Sequence, residues 1–104
     1  MVSLKDQMNV IVREIAAYAK PALNGGQSYL TQSTDGNLYS VIDILPVGGK
    51  HQADAGLVVR MMGDYLIIEH DMNNKPLVDA LVQVGIPREQ IILAYAGEPG
   101  PAAA

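Results

Sequence analysis

Leu57-Val58-Val59-Arg60-Met61-Met62-Gly63-Asp64-Tyr65-Leu66-Ile67-Ile68-Glu69 decides the fold. Leu57, Val59 and Met61 alternate with Val58, Arg60 and Met62. Beyond Gly63-Asp64, Tyr65, Ile67 and Glu69 alternate with Leu66, Ile68 and His70. This period of two is the mark of a strand. Gly63-Asp64 suits a two-residue type II′ turn, which needs a positive φ at its first central residue. The two runs, 57–62 and 65–69, therefore pair as an antiparallel hairpin.

Downstream, Asn73 or Asn74 is placed to cap a helix over 75–84, and Pro76 is tolerated in its first turn. Leu77, Ala80, Leu81 and Val84 fall at i, i+3, i+4 and i+7, one apolar stripe for the sheet. Gly85 suits a left-handed C-cap, with Ile86 folding back as the hydrophobic contact of a Schellman motif. Pro87-Arg88-Glu89 turns the chain into a strand over 90–95, whose Ile91-Ile92-Leu93 is a buried run. The Gly/Pro/Ala composition from Gly97 predicts a flexible tail over 97–104, leaving a single domain over 1–96.

Upstream, both alternating sets of Leu38 to Leu45 carry apolar weight, so this strand is expected to be central. Asp43 is its exception and belongs at a sheet margin, at water or at a partner. Thr34-Asp35-Gly36-Asn37 is a hairpin signal joining it to a strand over 27–33, which follows an Asn24-Gly25-Gly26 loop. The polar, Gly-rich stretch 46–54 reads as a mobile connection. Its Gly48-Gly49-Lys50 lacks the spacing and the following Ser or Thr of a phosphate-binding loop. At the N-terminus, Ser3 with Asp6 suggests a capping box, and Leu4, Met8, Ile11, Ile15 and Ala19, widened by Val12, make one helical stripe. Pro21 ends that helix near Lys20.

The order of elements predicts an α+β fold: a mainly antiparallel sheet of about five strands with two helices packed on one face. The other face and the edge strands want cover, which a homo-oligomer, a dimer in its simplest form, would supply.

Of the 104 residues 49% are hydrophobic, enough for a core, yet Phe and Trp are absent and the core must be aliphatic. With no Cys there are no disulfides or thiolate metal sites, which suits a cytoplasmic location. The formal charge is −4 and the seven basic residues are scattered singly. Because DNA affinity comes from Lys and Arg neutralising phosphates, no direct nucleic-acid contact is expected, nor attraction to an anionic membrane.

The densest polar cluster is Glu69-His70-Asp71. On a strand Glu69 and Asp71 share a face that His70 leaves, so the three do not converge without a bulge. A small ligand-binding domain or enzyme built on this cluster is the alternative function. No catalytic, cofactor or metal residue is assigned: the two imidazoles, His51 and His70, lack ligand spacing. Arg60, in the middle of an apolar strand, should snorkel to water or pair with a carboxylate such as Asp43 or Glu69 on a neighbouring strand. Asp43, Arg60 and Glu69 are the candidate partner-binding residues.

The hairpin centred on Gly63, the polar 71–74 linker, the helix with Leu77, Ala80 and Leu81, and above all Gly85-Ile86-Pro87-Arg88-Glu89-Gln90-Ile91-Ile92-Leu93 resemble the XisI-like family, the fdxN element excision controlling factors. The likeness is best over 63–95. The chain departs from the family in Leu66, where the family has Trp, in Ile68 for Gln and in Ala96 for His, and the Gly/Pro/Ala run replaces an aromatic tail. The resemblance implies an accessory protein. With an XisH-like protein partner it would support excision of a DNA element by a separate site-specific recombinase, without enzymatic activity of its own.

Overall fold

The computed structural model describes residues 3–21 and 25–101; Asn24 and the terminal Ala102, Ala103 and Ala104 lie outside the described residues. Five strands form one sheet in chain order: β1 Gln27–Gln32, β2 Leu38–Val47, β3 Lys50–Met62, β4 Tyr65–Asp71 and β5 Ile91–Leu93. Neighbours β1 to β4 run antiparallel, whereas β5 runs parallel to β4 with Leu66 opposite Ile91. A parallel neighbour requires a crossover, and helix α2 (Leu77–Gln83) provides it. Helix α1 (Met8–Ala16) lies against α2 and β2. This is the anticipated α+β architecture.

One aliphatic cluster joins both helices to one face of the sheet. Ile11 and Ile15 from α1, and Leu77 and Leu81 from α2, meet Leu57, Val59, Leu66 and Ile68, all fully buried. Each such side chain contributes roughly 1.5–3 kcal/mol through removal from water. The hairpin around Gly63 forms as expected, with Met62 opposite Tyr65. A φ of +59° at Gly63, and no positive φ at Asp64, fits the type II′ geometry.

The stretch 46–54 is a correction. It is no mobile connection: β2 and β3 pair continuously from Asp43 opposite Asp54 to Val47 opposite Lys50. Gly48 and Gly49, at φ +56° and +80°, make the two-residue turn. Two consecutive positive φ angles define the type I′ hairpin, whose twist matches that of the flanking strands. The polar composition here reflects water on both sides of a ribbon, which period-two hydrophobicity cannot detect.

Both helices are shorter than the sequence suggested. The first turn, Lys5–Gln7, is a 3₁₀ turn after Leu4 with no side-chain cap, so Ser3 is not the cap. At the other end, Tyr18 and Ala19 donate to the carbonyls of Ile15 and Ala16, three residues back, and the tightened turn closes α1 before Lys20. The second helix begins at Leu77 because Pro76, at ψ 142°, is extended. Its C-terminus matches the Schellman reading: Ile86 N–H donates to Leu81 O (3.0 Å) and Gly85 N–H to Val82 O (3.1 Å).

The final strand is only three residues long, set between 3₁₀ turns at Arg88–Gln90 and Ala94–Ala96. Gln90 is wholly buried, and its Nε2 donates to Asp64 O (2.8 Å), tying the start of β5 to the β3–β4 turn. Glu98, assigned by composition to the tail, is fastened: its carboxylate accepts from Leu93 N–H (2.9 Å) and from Arg88 Nη2 (2.7 Å).

Candidate protein-binding face

Val59, Leu66 and Ile68 point into the helix-covered core, so strand alternation turns Arg60 and Ile67 to the opposite face. There Arg60 Nε donates to Glu69 Oε2 at 2.8 Å, the pairing expected from the sequence for one of its two candidate carboxylates. Both side chains are over a third exposed, at 39% and 35%. An ion pair so exposed adds about 0–1 kcal/mol, and stability does not explain its presence in a strand. Among the described residues Nη1 and Nη2 of Arg60 have no partner, which leaves forked donors facing outward.

The surroundings are apolar. Ile67 and Ile92, side by side in register, are buried yet form no part of the helix-covered cluster. Leu38 and Ile67 stand opposite Arg60 on its two neighbouring strands, and Ile42 and Val58 are half-buried. The Thr31 hydroxyl, hydrogen-bonded to that of Ser40, lies on the β1 side. The half-exposed Arg60–Glu69 pair is therefore bordered by aliphatic side chains, of which Ile67 and Ile92 are already buried within the chain.

Asp43 is on the other face, in alternation with Val41 of the core. It accepts from Ser28 Oγ (2.5 Å), and its carboxylate occupies the space over Gly56, where any Cβ would collide with it. Gly56 is the extra residue where the β2–β3 register shifts. The structure thus brings Arg60 and Glu69 together and leaves Asp43 apart.

The Glu69-His70-Asp71 cluster disperses. Glu69 turns to Arg60, while His70 faces a shallow depression shared with Asp43 and Asp54. Asp71 closes the entrance to α2: Oδ1 accepts from the backbone and side-chain amides of Asn73 (2.9 and 2.8 Å), and Oδ2 accepts from Leu77 N–H (2.8 Å). Asp71, not Asn73 or Asn74, therefore supplies the cap. Its charge also reaches Tyr18, whose hydroxyl donates to Lys75 O (2.7 Å) and whose pKa is raised by burial first and by Asp71 next. Among the described residues no three His, Cys, Asp or Glu side chains are grouped to hold a metal ion. Nor, among the described residues, is any helix long and apolar enough to cross a membrane. Sequence reasoning missed the roles of Asp71, Gln90 and Glu98, because each bonds to a backbone group that only the folded chain brings near.

No protein-family model and no curated protein matches the sequence. Two crystal structures from Anabaena variabilis do match the fold. One, an XisI-like protein, superposes with a TM-score of 0.71 at 20% identity, over 86% of this chain and 84% of that one. This chain has the XisI-like fold. The other, the fdxN element excision controlling factor XisI, gives a TM-score of 0.61 at 20% identity, over 93% and 89% of the two chains. The XisI-like fold therefore extends over nearly the whole chain, well past the 63–95 segment that carries the sequence resemblance.

Proposed function

We propose that this protein is an XisI-like accessory factor in the control of DNA-element excision, and that it acts by docking rather than by catalysis. The observation that carries the reading is the near full-length match to the XisI-like fold, one of whose bearers is an excision controlling factor. The dispersal of the cluster, with Glu69 bonded to Arg60 and Asp71 to the start of α2, supports the non-enzymatic part. Net charge of −4 supports a protein partner over DNA. The partner is an XisH-like protein, received on the sheet face around the half-exposed Arg60 and Glu69; Asp43, on the other face, serves the β1–β2–β3 junction.

Co-expression with the XisH-like protein is expected to yield a complex that survives gel filtration at micromolar concentration. Arg60→Glu should weaken it at least tenfold while leaving thermal stability nearly unchanged, because the ion pair is exposed. Two proteins that never associate, or a complex indifferent to Arg60→Glu, would refute respectively the partner and the face.

A further inference from the structure

The β2–β3 hairpin outgrows its neighbours. On the β4 side, pairing to β3 begins at Leu57, and the last bond across is Met72 N–H to Gly56 O (3.0 Å). On the β1 side, pairing to β2 stops at Ile44. What remains, 45–55, is an arm of two strands that no third strand among the described residues joins, and its residues 46–54 are all exposed. A ribbon of two strands is marginal in water, and its unpaired edges are templates for another strand.

The two edges are not equivalent. The β2 edge carries Pro46, which has no N–H to give, and this edge is blocked. The β3 edge, Lys50-His51-Gln52-Ala53-Asp54, has no proline. In the two-residue turn Lys50 N–H points to Val47 O, toward β2, so alternation sends the N–H and C=O of His51 and Ala53 outward. The side chains of Lys50, Gln52 and Asp54 share one face, as the Gln52 Nε2 to Asp54 Oδ2 hydrogen bond (2.9 Å) attests.

We infer that this edge is a homodimer interface, formed by antiparallel pairing with the same edge of a second copy about a two-fold axis at Gln52. The charges select both occupant and register. With Gln52 opposite Gln52, Lys50 of each copy stands opposite Asp54 of the other, and His51 and Ala53 exchange the backbone bonds. The Gln52 pair and both Lys50–Asp54 pairs then fall at non-hydrogen-bonded positions, where side chains approach most closely. The turn of each copy ends beside Met72, which is 71% exposed in the single chain. This interface is separate from the Arg60 face and does not depend on the XisH-like reading.

Sedimentation equilibrium of the full chain, from 1 to several hundred micromolar on the order-of-magnitude scale of homodimers, tests it. The wild type should approach twice 11.1 kDa. Ala53→Pro removes an outward N–H without removing an intramolecular backbone hydrogen bond, because Ala53 faces Ile44 at a non-hydrogen-bonded position, and should give a folded monomer. Lys50→Glu alone, and Asp54→Lys alone, should raise the dissociation constant at least tenfold, and the two together should restore it. A wild type that stays monomeric overturns the proposal. So does a dimer that ignores Ala53→Pro or is not rescued by the charge swap.

Discussion

Strand β3 passes through two environments in thirteen residues. At its far end Leu57 and Val59 are completely buried beneath the helices; at its near end Lys50 to Asp54 lie open to water. The two halves are held by different physics. Aliphatic packing fixes the body, where each side chain removed from water adds directly to stability. The arm is held by its cross-strand ladder and a glycine turn, with almost nothing buried. Strand formation and burial are therefore separable here, and an arm that contributes little to folding is free to serve recognition.

The sharpest way to break this division is Leu81→Ala in the body, which should lower unfolding free energy by about 3 kcal/mol in urea titration. A loss below 1 kcal/mol would mean the helix-covered cluster is not what holds the molecule. Next, Asp71→Ala should cost about 1.5 kcal/mol by removing the acceptor for Leu77 N–H. Asn73→Ala should cost less, reversing the order expected from the sequence.

At the junction of the halves, Gly56→Ala should cost about 1 kcal/mol, since the new methyl displaces the Asp43 carboxylate from Ser28. A double-mutant cycle with Ser28→Ala should then be strongly non-additive. In the arm, Val47→Ala should stay within about 0.5 kcal/mol of wild type. A larger loss would place the arm in the folding core.

The smallest effect concerns pH at the C-terminal side of β5. The backbone N–H of Leu93, and then Arg88, hold the Glu98 carboxyl below the usual glutamate range. A group with a lowered folded-state pKa stabilises fully above its unfolded value and loses that contribution as pH falls through the folded one. Hydrogen exchange at the Leu93 amide should therefore accelerate on acidification below that range, beyond the intrinsic pH trend. Glu98→Gln should remove the extra dependence.

The body was legible in the sequence because its signals are local and redundant. Gly63 between two alternating runs, the stripe of Leu77, Ala80 and Leu81 (though not Val84, which is exposed at the helix end), and Gly85-Ile86 each have one low-energy structural meaning. The arm is not legible as strand, because Pro46 to Asp54 carry no alternation, and two adjacent glycines in a polar stretch signal a loose loop as readily as a tight turn. The cap on α2 is hidden from the sequence for a related reason. Asp71 lies six residues before the amide it bonds, a separation that no capping pattern encodes. For the candidate binding face, Arg60 is conspicuous as a cation in an apolar strand, but only the register selects Glu69 over Asp43.

By itself the sequence determined the class of fold, the hairpin at Gly63 and the helix that follows it, since backbone sterics and hydrophobic period act over a few residues. Tertiary structure alone decided that β5 runs parallel to β4, that Arg60 and Asp43 part to opposite faces, and that β3 continues past its neighbours as an arm. Those outcomes depend on which strands meet and in what register, and contacts between residues distant in the chain are fixed only once the whole core closes.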